Sequence, residues 1–245
     1  LDDSAKMLNM TMPYSAAELF DVTLELLQKN NLDDAYIRPL AFSGLGAMGL
    51  AATGNPTRVI VAAWKWGSYL GEDGLEKGIR LKTSSYSRHH INSNLTKAKA
   101  SGHYVGSILA KREALDAGYD EALMLDTNGF VAECSGENIF IVKDGAIYTP
   151  DLTSALNGIT RNTIMTFAND LNYELVEKRI TRDEVYIADE AFFSGTAAEV
   201  TPIRELDNRP IGEGTRGPIT EKLQSLYFDV VHGKVEKYKD WLTVA

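Results

Sequence analysis

The stretch that organises the chain is Asn94-Leu-Thr-Lys-Ala-Lys-Ala-Ser-Gly-His-Tyr104, in which two lysines alternate with small residues. Small neighbours let a planar ligand come close to a lysine side chain. A lysine that is partly withdrawn from water has a depressed pKa, so its neutral amine can attack a carbonyl carbon and form a Schiff base. The alternative is that Lys97 and Lys99 are solvated charges at the start of a helix, because lysine is mostly exposed in proteins.

Four further segments extend this pattern along the chain. They are Ala35-Tyr-Ile-Arg-Pro39, Glu133-Cys-Ser-Gly-Glu-Asn-Ile-Phe140, Leu156-Asn-Gly-Ile-Thr-Arg161 and Ser194-Gly-Thr-Ala-Ala-Glu-Val-Thr-Pro202. In their order and approximate spacing, the five segments resemble the class IV pyridoxal-phosphate aminotransferases, and the branched-chain members in particular. The resemblance implies an α+β chain with the D-amino-acid aminotransferase-like fold, made of a partial small α/β domain and a complete larger domain.

The domain boundaries follow from the same resemblance and from a polar, irregular segment. Residues 1–82 are expected to be a remnant of the small N-terminal domain, residues 83–94 the interdomain loop, and residues 95–245 the large cofactor-binding domain. The chain begins with Leu1, and residues 1–8 read as a helix already in progress. Members of the family carry more residues upstream, so we expect the N-terminal segment to be missing.

Composition excludes several classes of protein. The net charge of −9 argues against nucleic acid and against an anionic membrane surface as partners. The chain contains no apolar run of the roughly 18 residues that a membrane span needs. The single cysteine, Cys134, excludes an internal disulfide framework and suits a reducing compartment. We therefore expect a cytoplasmic protein whose partners are small molecules.

Local signals predict the main helices and strands. The capping box Ser15-Ala-Ala-Glu18 starts a helix that ends near Asn30. A strand is predicted at 35–42, with Tyr36 and Arg38 on one face, and a buried strand at 58–64. Asn128-Gly129 and Asp144-Gly145 predict hairpin turns. The other predicted strands lie at 79–85, 121–125, 130–134, 138–142 and 191–193, and the other helices at 102–117, 161–171, 182–187 and 218–231.

Pyridoxal phosphate needs a lysine for its aldehyde, an acid for its ring nitrogen, a partner for its phenolic oxygen and an anion site for its phosphate. The resemblance assigns the first three roles to Lys99, Glu133 and Tyr104. A carboxylate beside the pyridine nitrogen keeps that nitrogen protonated, and Glu137 is the rival acid in the same segment. The Lys99 amine would afterwards act as the general base that moves the substrate proton.

The phosphate site is predicted where a glycine and a hydroxyl residue precede a helix. The free N–H groups and the dipole of a helix start favour an anion at Gly158-Ile159-Thr160. The alternative reading is that Thr160 is only a helix N-cap. The resemblance implies a second phosphate contact at Gly195-Thr196, and it places Leu156 against a face of the ring.

The substrate site is assigned by the resemblance to the Tyr-x-Arg-Pro segment. Arg38 is expected to bind the distal carboxylate of glutamate, since arginine binds carboxylates bidentately. The α-carboxylate would bind Tyr36 and the backbone N–H groups of Thr196 and Ala197. The apolar neighbours of Arg38 suggest that it is buried. Tyr86 is expected to line the substrate pocket from the interdomain loop, with Arg88 nearby.

These assignments predict an aminotransferase that moves the amino group between L-leucine, L-isoleucine or L-valine and 2-oxoglutarate, with pyridoxal 5'-phosphate as cofactor. The ranking of the three donors and the physiological direction stay open. The resemblance implies a homo-oligomer, either a dimer or a dimer-based hexamer. No metal site is expected, because adjacent residues such as His89-His90 point apart. The alternatives are a D-amino-acid or (R)-amine transaminase, an aminodeoxychorismate lyase of the same fold, and a catalytically inactive fragment.

Overall fold

The computed structural model describes residues 1–67 and 71–243, which fall into two compact units. The first unit is Leu1–Gly67, grouped with the C-terminal residues from Thr243, and the second is Ser68–Leu242. Residues 79–82 were expected to lie in the small domain. In the structure they belong to the larger unit, because the strand Ile79–Thr83 is hydrogen-bonded between two strands of its sheet.

The first unit contains two helices and a two-stranded antiparallel sheet. Its elements are α1 (Asp2–Met7), α2 (Ala16–Lys29), β1 (Tyr36–Ser43) and β2 (Thr57–Trp64). The predicted capping box is confirmed: Ser15 Oγ accepts from the Glu18 N–H, and the Ser15 N–H donates to Glu18 Oε2 at 2.7 Å.

The prediction that β2 is a buried strand is wrong. Its residues alternate between half-buried and exposed, and none of them is fully buried. Because α2 packs against β2 in a sheet of only two strands, one face stays open to solvent. Alternating exposure is what the two-residue period of a strand gives in that setting.

The second unit is built on a curled nine-stranded mixed sheet with the order β5-β4-β3-β10-β9-β6-β7-β8, in which β11 pairs with β10. Three neighbouring pairs are parallel, namely β3–β4, β3–β10 and β7–β8, and the others are antiparallel. The edge strand β5 curls round towards the opposite edge, where the Val131 N–H donates to the Ile180 carbonyl at 2.8 Å. The strands are β3 (Ile79–Thr83), β4 (Glu121–Leu125), β5 (Val131–Cys134), β6 (Asn138–Lys143), β7 (Ala146–Pro150), β8 (Leu175–Lys178), β9 (Glu190–Gly195), β10 (Glu199–Leu206) and β11 (Arg209–Pro210).

Helices cover the sheet, and its buried apolar side chains form two large hydrophobic cores and a smaller cluster. The helices are α3 (Glu72–Lys77), α4 (Tyr104–Asp116), α5 (Ile159–Asp170), α6 (Arg182–Tyr186) and α7 (Pro218–Val231), with 3-10 turns at Ser101–His103 and Glu236–Trp241. On the central strand β6, Ile139 packs into one core and Phe140 into the other. On β9, Phe193 packs into the same core as Ile139, and Phe192 packs into the same core as Phe140. Both faces of the central strands are therefore buried.

Most of the predicted elements of the larger unit are present. Both predicted hairpin turns are confirmed, since they join the antiparallel pairs β4–β5 and β6–β7. The capping box of Thr181 and Glu184 and the helix that starts at Pro218 are also confirmed. The elements α3, β8, β10 and β11 were not predicted, and β9 is longer than the predicted strand at 191–193.

Membrane spans and metal clusters are both absent from the described residues. None of the helices in residues 1–67 and 71–243 is long and apolar enough to cross a membrane. Within the same ranges, no group of three or more His, Cys, Asp and Glu side chains is arranged to hold a metal ion.

Candidate active site

A cleft lies in the larger unit, where the segment before α4 faces the ends of β5 and β6. Lys99 and Tyr104 line it from one segment, and Glu133, Glu137 and Leu156 line it from the sheet side. The predicted lysine, acid, tyrosine and ring-packing residue therefore share one cavity. Their catalytic roles remain predictions.

The Lys99 amine lies against the hydroxyl group of Tyr104. Lys99 Nζ donates a hydrogen bond to the Tyr104 hydroxyl oxygen at 2.8 Å, and it lies 5.5 Å from the ring centroid. The 3-10 turn Ser101–His103 separates the two residues, and α4 begins only at Tyr104. This turn brings together two side chains that a continuous helix would hold only loosely on one side.

The two lysines of the organising stretch have different surroundings. Lys97 Nζ donates to the Ala155 carbonyl at 2.9 Å, and partial burial lowers the pKa of Lys97 against the opposing attraction of Glu133 and Asp151. Lys99 lines the cleft but is exposed in this chain, so the expectation that it is partly withdrawn from water is wrong. Position in the cleft, and not burial, distinguishes Lys99 from Lys97.

Glu133 is held by a buried ion pair and a backbone hydrogen bond. Arg88 Nη2 lies 2.6 Å from Glu133 Oε1, and the Leu156 N–H donates to Glu133 Oε2 at 2.9 Å. Burial raises the pKa of Glu133, while Arg88, the Leu156 N–H and Lys99 act in the opposite direction. Each oxygen of this carboxylate thus has a donor, and its orientation in the cleft is fixed.

The first phosphate-site segment forms the N-terminus of α5. Gly158 is the N-cap and the helix starts at Ile159, two residues before the predicted start, so the alternative that Thr160 is the N-cap is wrong. The first N–H groups of a helix have no partner within it. A Cβ on Gly158 would lie 2.1 Å from Asn138 Oδ1, and Asn138 Nδ2 donates to the Leu156 carbonyl at 2.9 Å. The helix start is therefore fitted tightly to β6.

The second predicted phosphate-site segment is the turn between β9 and β10. Ser194 pairs with Asn138 across the sheet, and a Cβ on Gly195 would lie 3.4 Å from Glu137 Cγ. Thr196 is exposed and Ala197 is half-buried. The turn Gly195–Thr196 and the start of α5 thus both lie beside the first residues of β6, which also line the cleft.

The predicted carboxylate-binding residues form a cluster in the smaller unit. Arg38 Nη2 donates to the Tyr36 hydroxyl at 3.2 Å, which confirms that these residues share a strand face. The Arg38 guanidinium carbon lies 5.1 Å from the Tyr36 ring centroid and 5.6 Å from that of Trp64, and Trp66 packs edge-on against Tyr36. Arg38 is exposed, as are Ile37 and Leu40, so the expectation that it is buried is wrong.

Comparisons with known proteins identify the family. The model of the family described as amino-transferase class IV matches residues 1–206. A branched-chain-amino-acid aminotransferase of Pseudomonas aeruginosa is 59% identical over 244 residues, with 100% of this chain and 80% of that protein covered. The chain belongs to the class IV aminotransferases. A second relative in this family, the branched-chain-amino-acid aminotransferase of Escherichia coli K12, is 45% identical over 99% of this chain and 79% of that protein.

Solved class IV structures superimpose on the chain closely. A crystal structure of the Escherichia coli branched-chain amino acid aminotransferase aligns with a TM-score of 0.97 at 44% identity, over 99% of this chain and 81% of that chain. Another structure, a T.th. branched-chain amino acid aminotransferase with pyridoxamine 5'-phosphate, aligns with a TM-score of 0.95 at 49% identity, over 98% of this chain and 79% of that chain. The predicted family and fold class are thereby confirmed.

The structure adds two residues to the predicted class IV site. Arg88 was assigned only to the loop of Tyr86, yet it is 8% exposed and reaches Glu133 in the cleft. Tyr86 itself is 42% exposed, and its N–H donates to Ser84 Oγ. Asn138 connects the cleft to the start of α5, and its place in the Glu133–Phe140 segment was the available signal. The sequence around Arg88 gives no comparable signal.

Proposed function

We propose that the protein is a pyridoxal-phosphate-dependent aminotransferase that exchanges the amino group of L-leucine, L-isoleucine or L-valine with 2-oxoglutarate. The observation that carries the proposal is the convergence of the Lys99–Tyr104 pair and the Arg88–Glu133 pair on one cleft. The names of the relatives in the family point to the same substrates.

The groups around the cleft fit pyridoxal phosphate. An amine next to a hydroxyl group lies opposite a buried, oriented carboxylate, and the start of α5 lies close by without a side-chain cap. The N-cap Gly158 has no side chain to cap the first N–H groups of α5, and Ile159 is 81% exposed. Free N–H groups at a helix start favour a phosphate. Lys99, Tyr104, Glu133 and the segments at Gly158–Thr160 and Gly195–Thr196 would hold the cofactor.

The cofactor supplies an electron sink that lets the α-proton of an amino acid be removed. Lys99 Nζ would first hold the cofactor and then carry that proton as a general base. The Tyr104 hydroxyl, 2.8 Å from Nζ, orients the amine and offers a hydrogen bond to an oxygen beside it. Glu133 would hold a proton on the ring nitrogen of the bound cofactor, and Arg88 keeps Glu133 in place.

The substrate must present an aliphatic side chain in one half-reaction and a second carboxylate in the other. We infer that Arg38 binds that second carboxylate, because its guanidinium is held by the hydroxyl and ring of Tyr36 and by the ring of Trp64 and retains donors for a bidentate contact. Tyr36 and the N–H groups at Thr196–Ala197 would bind the α-carboxylate, and Tyr86 would contact the side chain. The proposal includes a cytoplasmic location and a homo-oligomer.

The proposal is tested by donor specificity and by lysine replacement. The purified protein should transfer the amino group of L-leucine to 2-oxoglutarate faster than that of D-alanine. Lys99→Ala should abolish both the activity and the visible absorbance of bound cofactor. Lys97→Ala is the matched control and should keep both, because the Lys97 amine binds a backbone carbonyl. A faster reaction with D-alanine would instead indicate a D-amino-acid transaminase, and a colourless protein that ignores added cofactor would contradict the proposal.

A further inference from the structure

A second carboxyl group lies in the cleft without the partner that Glu133 has. Glu137 is 6% exposed and lines the same cavity as Lys99, Tyr104 and Glu133. Glu133 is paired with Arg88, whereas among the described residues the hydrogen bond donated to the Glu137 carboxyl group comes from the Gly136 N–H, at 3.1 Å. The two buried acids of the cleft thus differ in what surrounds them.

The surroundings of Glu137 oppose a negative charge on it. Burial is the largest effect, followed by repulsion from Glu121, and together they raise the pKa of Glu137 to about 8. Glu121 on β4 is fully buried and its charge is held by Lys111 of α4 at 2.6 Å. Glu133 on β5 adds repulsion, while Lys111 and the Gly136 N–H oppose the shift.

Among the described residues, none of the remaining neighbours forms an ion pair with Glu137, although Arg88 and Lys99 line the same cleft. The Cys134 thiol on β5 stays neutral, since burial and then Glu137 raise its pKa well above the ordinary value. Gly195 on β9 packs against the Glu137 side chain. On the cleft side the titratable and charged groups are Lys99 and Tyr104, which share a hydrogen bond, and Arg88, which is paired with Glu133. His103 also lines the cleft, and burial lowers the pKa of its imidazole. When two neighbouring acids have environments that separate their pKa values, they take different chemical roles.

We propose that Glu137 holds a proton and presents it as a hydrogen-bond donor to a negatively charged oxygen of the ligand bound between Lys99, Tyr104 and Glu133. Glu133 is then the carboxylate that accepts hydrogen bonds in the cleft, and Glu137 is the neutral carboxyl group that donates one. The proposal rests on the proposed function for the identity of the ligand, but the protonation of Glu137 is independent of it. A neutral carboxyl group can approach an anion that an ionised one would repel.

The test compares Glu137→Gln, which keeps a neutral donor, with Glu137→Ala, which removes it. The probe is pyridoxamine 5'-phosphate, which has no aldehyde to react with Lys99. Between pH 7 and pH 9 the wild-type protein should lose about tenfold in affinity relative to Glu137→Gln, because deprotonation removes its donor. At pH 7, Glu137→Ala should bind about 10- to 100-fold more weakly than the wild type, since a hydrogen bond to a charged group is lost.

The second probe, pyridoxamine, identifies the oxygen. An effect of Glu137→Ala that persists with pyridoxamine assigns the contact to the ring oxygen, and one that disappears assigns it to the phosphate; both results support a donor. The proposal is overturned if Glu137→Gln binds the probe as weakly as Glu137→Ala does. It is also overturned if the affinity of Glu137→Gln falls between pH 7 and pH 9 as much as that of the wild type. A wild-type protein that binds neither probe would contradict the proposed function as well.

A measurement on the wild-type protein guards against variants that fail to fold. With ¹³C-labelled glutamate carboxyl groups, one buried carboxyl signal should titrate near pH 8, and it should be missing in Glu137→Gln. If all glutamate signals of the folded wild type titrate near the ordinary value of 4.5, Glu137 is ionised and the inference fails.

Discussion

Arg88 Nη2 lies 2.6 Å from Glu133 Oε1, and the two side chains are only 9% and 8% exposed. A buried ion pair of this kind contributes little net stability against an apolar pair of similar size, but removing one partner leaves an uncompensated charge in the interior. The pair therefore constrains both the folding of the chain and the ionisation of the acid in the cleft.

Replacement of Arg88 by methionine should be strongly destabilising. We expect Arg88→Met to lower the free energy of unfolding by about 3–5 kcal/mol, because Glu133 stays buried without its cation. The measurement is urea denaturation of the cofactor-free protein. The double variant Arg88→Met/Glu133→Gln should recover most of the loss, since the amide oxygen can still accept from the Leu156 N–H.

The matched control is the exposed ion pair Lys143–Asp189, whose side chains are 40% and 48% exposed. Lys143→Met should cost no more than about 1 kcal/mol. If Arg88→Met and Lys143→Met lower the free energy of unfolding equally, burial of the Arg88–Glu133 pair does not increase the cost of breaking it.

Gly158 is expected to tolerate no side chain. Its backbone angles suit any residue, but a Cβ would lie 2.1 Å from Asn138 Oδ1. Gly158→Ala should therefore displace the start of α5, lower the free energy of unfolding by about 1–3 kcal/mol and weaken cofactor binding. Thermal unfolding and equilibrium titration with pyridoxal phosphate measure the two effects.

Two further variants test whether the contact with Asn138 is the cause. Gly158→Ala/Asn138→Ala should be more stable than Gly158→Ala, since the clash is gone. Gly106→Ala in α4, where a Cβ meets nothing within 4 Å, should be neutral or stabilising by up to about 1 kcal/mol. If Gly158→Ala is as stable as the wild type and binds pyridoxal phosphate equally well, the close fit between Gly158 and Asn138 is refuted.

Glu190 should stabilise α7 without taking part in the chemistry. Its carboxylate accepts from the Ile219 N–H at 3.0 Å and from the Thr220 N–H at 2.7 Å, at the first turn of the helix. A negative group there satisfies free donors and interacts favourably with the helix dipole. Glu190→Ala should cost about 1–2 kcal/mol in chemical denaturation while kcat at saturating cofactor stays within about twofold. A large fall in kcat would disprove this separation.

Asp207 should make the fold sensitive to acid. Burial alone would raise its pKa, but hydrogen bonds from the N–H and hydroxyl of Thr83 and from the Tyr186 hydroxyl outweigh it, and the pKa of Asp207 is lowered. A lowered folded-state pKa gives stability that is present above the ordinary value of 3.8 and is lost as the pH falls through the folded value.

The measurement is the melting temperature between about pH 6 and pH 2 for the wild type and Asp207→Asn. The variant should be less stable near neutral pH and should lose less stability on acidification. Parallel curves for the two proteins would show that Asp207 does not contribute to the acid transition.

Local chemistry explains why much of the fold was predictable. Asp144 and Gly145 have φ of 51° and 81°, the left-handed values that a tight hairpin requires, and these residue types signal it in the sequence. The capping boxes at Ser15 and Thr181 likewise act within four residues. The resemblance then supplied the residues that meet in the cleft.

The unpredicted features depend on contacts between distant segments. The strand β10 lies between β9 and β3, so its pairing cannot be read from its own residues. Arg88 meets Glu133 only because the segment after β3 lies alongside β4. The Arg88 N–H donates there to the Leu125 carbonyl. The exposure of Arg38 follows from a sheet with two strands, which its apolar neighbours do not reveal.

The burial of β6 on both faces has a consequence for motion. Strands packed on two sides open to solvent only in nearly complete unfolding, whereas exposed segments open locally at little cost. Amide hydrogens of residues 139–142 should therefore exchange among the slowest in the protein, and those of the exposed residues 92–95 among the fastest. The acid side of the cleft would stay fixed when a ligand arrives, and the lysine side would be the part that adjusts.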